Sequence, residues 1–183
     1  MLQPMVFRRA WRAAAVALAL LLAACGGGSF DAQGLLFDYP EDFQQAEGTS
    51  RSLLILKSSR PEQGVLTVAW KEGGQPDAAR LLAAALGALG ADEDAFDDRS
   101  LETIEFTRVP GATAHYVEMR LRSSAQPEAD GYFARLMVLE ASNGFGYIVA
   151  HTVPAEHRDD AGVERTWDQV QTSLRFETQN ARN

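Results

Sequence analysis

Few residues in this chain have the chemistry to act on another molecule. There is one cysteine, Cys25, and there are three histidines, His115, His151 and His157. A thiol can be acylated, alkylated or oxidised, and Cys25 stands at the end of an apolar run with two small residues, Ala23 and Ala24, before it. His151, His157, Asp159 and Asp160 offer nitrogen and oxygen donors of the kind a metal site needs, if they converge. A structural role for each of them explains the same residues. The run Asp92-Glu93-Asp94-Ala95-Phe96-Asp97-Asp98 has the carboxylates calcium favours. It lacks the glycine and closing glutamate of the standard loop, and a solvated connector accounts for it as well. Glu118, Arg120 and Glu140 could line a polar pocket or form cross-strand ion pairs. Trp70 could be a binding aromatic or a packing residue. The chain has no G-x-S-x-G elbow, no H-E-x-x-H pair and no P-loop. Nothing places a serine beside a histidine, so no catalytic residue is assigned, and neither a metal nor a cofactor is expected.

The surroundings of Cys25 give it a definite chemistry. Arg8, Arg9 and Arg12 make a positive front, and Ala13 to Leu22 is unbroken Ala, Val and Leu. This is the layout of an export signal. A membrane-spanning helix needs ~20 apolar residues to cross ~30 Å of hydrocarbon. Ala13 to Ala24 supplies twelve, so a stable spanning anchor is not expected. Leu22-Ala23-Ala24-Cys25 resembles the lipobox of bacterial lipoproteins: an aliphatic residue, two small ones, then cysteine. The resemblance implies cleavage between Ala24 and Cys25, a diacylglyceryl thioether on the Cys25 sulfur and often acylation, as by palmitate, of its new amine. Each buried methylene adds ~0.8 kcal/mol, and two or more chains hold where one does not. Arg8-Arg9 also suggests twin-arginine export. Gly26 after Cys25, in place of aspartate, resembles outer-membrane sorting if the cell has an outer membrane.

Without Met1 to Ala24 the chain is 159 of its 183 residues, enough for one domain with a real core. The formal charge is −8, and losing the three arginines of the leader takes it to −11. So acidic a domain argues against general nucleic-acid binding, which relies on Lys and Arg at phosphates. It also argues against charge-driven adhesion to anionic lipid. With Cys25 consumed by lipid, disulfides, thiolate metal sites and cysteine nucleophiles are excluded.

The elements follow from periodicity and breakers. Gly26 to Gln33 reads as a flexible spacer. Gly34 to Tyr39 reads as a first strand stopped by Pro40, and Phe43 as a core residue after a turn. Arg51 to Ser58 and Gly64 to Lys71 read as a hairpin. Pro76 and Asp77 start a helix, Leu81, Leu82, Ala85, Leu86 and Leu89 repeat at helical spacing, and Gly90 stops it. Leu101 to Arg108 and Thr113 to Arg122 are strands. Alternation in the second puts His115, Val117, Met119 and Leu121 on one face. Tyr132 to Ala141 and Phe145 to Val153 form a hairpin about Asn143-Gly144. Read as a two-residue turn, it pairs Glu140 with Tyr147, Val138 with Val149 and Leu136 with His151. A last helix runs from Ala155 or Asp160 to Leu174 and carries Val163, Trp167, Val170 and Leu174 on one stripe. These elements predict one α+β domain over 34–177: a single, largely antiparallel sheet of about six or seven strands with two main helices packed on it, then a frayed tail over 178–183.

Phe37-Asp38-Tyr39-Pro40-Glu41-Asp42-Phe43, the early helix after a hairpin, the run Gly146-Tyr147-Ile148-Val149-Ala150-His151 and the closing helix with Trp167 together resemble the PsbP-like group. That group is an α/β/α sandwich that includes bacterial lipoproteins of the DcrB type. The resemblance implies a scaffold with binding or accessory roles and no shared catalytic set, so no functional residue carries over. The expected protein is a non-catalytic, lipid-anchored accessory or binding module of the cell envelope. Its expected partners are the membrane, through Cys25, and an envelope protein. The alternatives are an envelope hydrolase or a small-ligand or ion binder using a His/carboxylate pocket.

Overall fold

In the computed structural model, residues 27–91, 96–109, 111–123 and 131–177 are described. The strands are β1 (Gly28–Ala32), β2 (Leu35–Tyr39), β3 (Phe43–Gln45), β4 (Leu53–Ser58), β5 (Val65–Glu72), β6 (Phe96–Val109), β7 (Ala112–Ser123), β8 (Tyr132–Ala141), β9 (Phe145–Pro154) and β10 (Arg175–Phe176). Helix α1 is Ala78–Leu89 and α2 is Ala161–Ser173. Single 3₁₀ turns occupy Pro61–Gln63 and Ala155–His157. No described helix is long and apolar enough to cross a membrane.

The main sheet has seven strands in the order β3-β4-β5-β9-β8-β7-β6, every neighbouring pair antiparallel. Period-two alternation gives it two apolar faces. Leu53 and Ile55 of β4, Val65 and Ala69 of β5, and Met119 and Leu121 of β7 meet Leu81, Leu82, Ala85 and Leu86 of α1. The opposite face, with Leu66, Val68, Met137 and Val149, meets Trp167, Val170 and Leu174 of α2. Beside α2 on that face lies a second sheet of three strands, β1-β2-β10. The result is an α+β sandwich with one helix on each side of an antiparallel sheet.

The helix ends follow their sequence signals. The Asp77 carboxylate accepts from the Ala79 and Arg80 amides at 2.9 and 3.3 Å, and at the far end the Ala91 amide reaches the Leu86 carbonyl at 2.9 Å. Both predicted helical stripes are buried, apart from Leu89, which is half-buried.

Four expectations are corrected. The opening strand, β2, belongs to the small sheet and not to the main one. Gly28–Ala32, read as free spacer, is strand β1, because Phe30 gives it an apolar face that stacks on Phe37 at 5.0 Å and meets Trp70 at 5.7 Å. Strand β6 starts at Phe96, inside the segment read as an acidic connector. The β8–β9 hairpin is slipped by one residue: Glu140 pairs with Gly146, Val138 with Ile148 and Leu136 with Ala150. Its loop has three residues, Ser142-Asn143-Gly144. The Gly144 amide returns to the Ala141 carbonyl at 3.3 Å, and Gly144 itself stands at φ +85°, the left-handed position a three-residue loop requires.

Candidate functional site

The corrected register assembles a polar cluster on the face under α2. Glu118 of β7 lies opposite Arg135 of β8, and Arg135 opposite His151 of β9. Arg135 is 9% exposed. Its Nε is 3.2 Å from Glu118 Oε1 and its Nη2 is 2.5 Å from Glu164 Oε1 on α2. Arg158 reaches Glu118 Oε2 at 3.2 Å and lies 4.4 Å over the Phe133 ring, which Arg135 also approaches at 5.4 Å. The Arg135 hydrogen bond, aided by its charge, holds the Glu164 carboxyl below the usual carboxylate range despite partial burial. Burial works against the charge on Arg135, but Glu164 and Glu118 together raise its pKa above the ordinary value.

His151 is the one histidine in this cluster, and it is sealed. It is 1% exposed, lies parallel to Trp167 at 6.4 Å and meets the Phe43 ring edge-on at 6.2 Å. Its Nε2 is 2.8 Å from the Gln63 carbonyl. A carbonyl only accepts, so Nε2 carries the proton and donates. Burial pushes the ring pKa down to about 4, leaving it neutral near pH 7. The Gln63 side chain accepts from the Thr166 hydroxyl at 3.3 Å. His151, Gln63 and Thr166 thus tie β9, the 3₁₀ turn and α2 together. A neutral ring with its Nε2 proton committed and no path to solvent is a structural pin and not a base for a substrate.

The other residues singled out above do not converge on it. His157 Nδ1 is 2.9 Å from Asp160 Oδ2, with both side chains partly exposed, and Asp159 stands 92% exposed beside Arg158. Among the described residues no group of three or more His, Cys, Asp or Glu could hold a metal. His115 is half-buried on β7 opposite Val138. Glu118 is drawn into the Arg135 cluster, and Arg120 lies opposite Phe133. Glu140 is exposed and five residues further along β8 from Arg135, about 17 Å at the rise of a strand. These three therefore line no common pocket. Trp70 packs half-buried on Phe30. Residues 92–95 of the acidic run lie outside the described residues, as do Ala24 and Cys25. Sequence reasoning missed Arg135, Gln63 and Glu164. An arginine inside the apolar run of β8 was a signal for the first, but the one-residue slip hid its partner.

A second feature lies on the α1 side. The groove between α1, β4 and the segment after β3 has a volume of about 720 Å³. Leu53 and Ile55 form its floor, and Arg80, Lys57 and Glu47 are its charged residues.

No protein-family profile matches this chain, and no curated protein sequence matches it. Solved structures do. The cyanobacterial PsbP protein CyanoP from Synechocystis sp. PCC 6803 is 14% identical, with a TM-score of 0.56 over 83% of this chain and 93% of CyanoP. The fold is PsbP-like. The Saccharomyces cerevisiae Ran-binding protein Mog1p superposes with a TM-score of 0.52 at 8% identity, over 81% of this chain and 94% of its own. A point mutant of Mog1 gives the same TM-score and identity over 83% of this chain and 96% of its own. At these identities the likeness concerns the fold alone.

Proposed function

We propose that this chain is a lipid-anchored, extracytoplasmic accessory or binding protein of the bacterial cell envelope, without catalytic activity. The observation that carries the proposal is the motif Leu22-Ala23-Ala24-Cys25 at the end of a short apolar run, with only Gly26 and Gly27 between Cys25 and strand β1. Three residue steps span at most about 11 Å. Acyl chains on Cys25 would hold the folded domain close against the bilayer, without the long tether a free spacer would have given. Acyl anchoring supplies the membrane affinity that an acidic domain cannot obtain from charge. Binding in place of catalysis is supported by the sealed His151 and by the occurrence of this fold in a protein described as Ran-binding.

Replacing Cys25 by Ser or Ala tests the reading. The wild-type chain is expected in the membrane fraction and the variant in the soluble fraction, with unchanged circular dichroism. A variant that stays in the membrane fraction would count against lipid anchoring through this sulfur. A small-ligand role is the second reading, and the groove beside α1 favours it.

A further inference from the structure

Where α1 crosses the edge of the main sheet, the sheet is incomplete. Strand β3 pairs only with Leu56, Lys57 and Ser58, so among the described residues the half of β4 carrying Leu53 and Ile55 has no strand outside it, only an isolated bridge from Ser50 to Leu53. The chain segment from Ala46 to Thr49 runs there instead. It is fixed by the Ala46 amide on the Ile55 carbonyl at 2.9 Å and the Ile55 amide on the Thr49 hydroxyl at 3.1 Å. Facing it, α1 turns Ala83, Ala84, Gly87 and Ala88 toward the opening. Side chains this small leave the trough of about 720 Å³ unfilled. That lies within the ~300–1,000 Å³ of small-molecule sites.

The charges are placed unevenly. At the C-terminal end of α1, the Lys57 ammonium donates to the Ala88 carbonyl at 2.6 Å and closes that end. At the N-terminal end Arg80 stands exposed, one turn beyond the Asp77 cap. In a chain of charge −8, the trough has two cations and one acid, Glu47, on the facing wall.

We propose that this groove binds a single-chain anionic amphiphile, its aliphatic chain lying along Ala83, Ala84 and Ala88 of α1 above the floor of Leu53 and Ile55, and its acidic head held by Arg80. The proposal deepens the binding role above and rests on it, but it does not depend on the anchor at Cys25. A fatty acid and a lysophospholipid share this chemistry. Glu47 separates them: a bare carboxylate head is repelled by it, whereas the ammonium of a phosphoethanolamine head is attracted.

The test uses the full-length chain reconstituted in phosphatidylcholine vesicles, a palmitic acid analogue with a photoreactive group at its chain end, and peptide mapping after irradiation. Adducts are expected within residues 46–57 and 80–88, and excess unlabelled palmitate should suppress them. Gly87→Leu, which fills the trough from an exposed helix position, should lower labelling about tenfold, equivalent to ~1.4 kcal/mol. Ala84→Leu serves the same purpose if Gly87→Leu does not fold. Arg80→Glu should weaken labelling by the acid and not by the alcohol of the same chain length. Glu47→Gln should strengthen competition by palmitate and weaken competition by lysophosphatidylethanolamine. Adducts scattered over the surface, adducts that palmitate cannot suppress, or labelling unchanged in both filled variants would overturn the proposal. Failure of the anchor reading would look different, as a soluble wild-type chain whose groove still labels.

Discussion

A proton can reach His151 only by leaving water for a site between Trp167 and Phe43. The folded chain therefore keeps the ring neutral down to about pH 4, while the unfolded chain protonates it near 6.5. Between those values the unfolded chain binds a proton that the folded one refuses, so stability falls as pH falls through this window. At 1.36 kcal/mol per pKa unit the full loss is on the order of 3 kcal/mol. His151→Gln can keep a donor to the Gln63 carbonyl but cannot titrate. Urea unfolding at pH 7 and pH 5 is expected to show a marked loss for the wild type and little for the variant. The Glu164 carboxyl contributes its own loss only below its ordinary value of 4.5, which keeps the two effects apart. Arg135 acts differently, since it neutralises two acids. Its carboxylate partners stay 36% and 43% exposed, so removing the cation leaves them partly hydrated. Arg135→Met should cost about 2 kcal/mol in thermal or urea unfolding, less than a fully buried pair and more than a surface one. A neutral outcome would mean that Phe133 and Arg158 close over the site without it.

At the scale of elements, the short 3₁₀ turn before β5 bears more than its length suggests. Gln63 holds His151 through its carbonyl and Thr166 through its side chain. Gly64, next in the chain, lies against β9 so closely that a Cβ would fall 2.0 Å from the Thr152 carbonyl oxygen. Its backbone, at φ 67° and ψ −136°, is also closed to other residues. Gly64→Ala is expected to cost more than ~3 kcal/mol or to abolish folding, read as loss of soluble protein or of a cooperative melt. The long elements were legible because periodicity repeats often enough within them to identify a face. Helix α1, with Asp77 at its start and Gly90 at its end, is the clearest case. Strands β3 and β10 are three and two residues long, too short for any period. The hairpin slip has another cause. Asn143-Gly144 marks a turn, but whether two or three residues close it depends on which pairing buries both faces of β8 and β9, and that is settled by α2 and α1 together.

For the whole molecule, the proposed anchor and the fold are tested separately. Strand β1 begins at Gly28, and its core contact is made by Phe30. The wild-type chain should give an N-terminal peptide beginning at Cys25 with the mass of attached acyl groups, and Cys25→Ser should melt at the same temperature as the wild type. An unmodified thiol, or a mature terminus elsewhere, would remove the membrane from this protein's account while leaving its sandwich intact.

The sequence by itself determined what is local: an acidic composition, two amphipathic helices with their caps, and strands that alternate; the export leader with a lipobox-like end is proposed from the same local pattern. From these the α+β class and the PsbP-like resemblance could be read. Only the tertiary structure decided which polar residues meet. Glu118, Arg135, His151 and Glu164 come from three strands and a helix, and their meeting depends on a register one residue away from the apparent one. The groove likewise exists because β3 stops short and α1 carries small residues above the gap. Local patterns are set by neighbours along the chain, whereas sites are set by distant segments packed against each other, and packing is decided by the whole core at once.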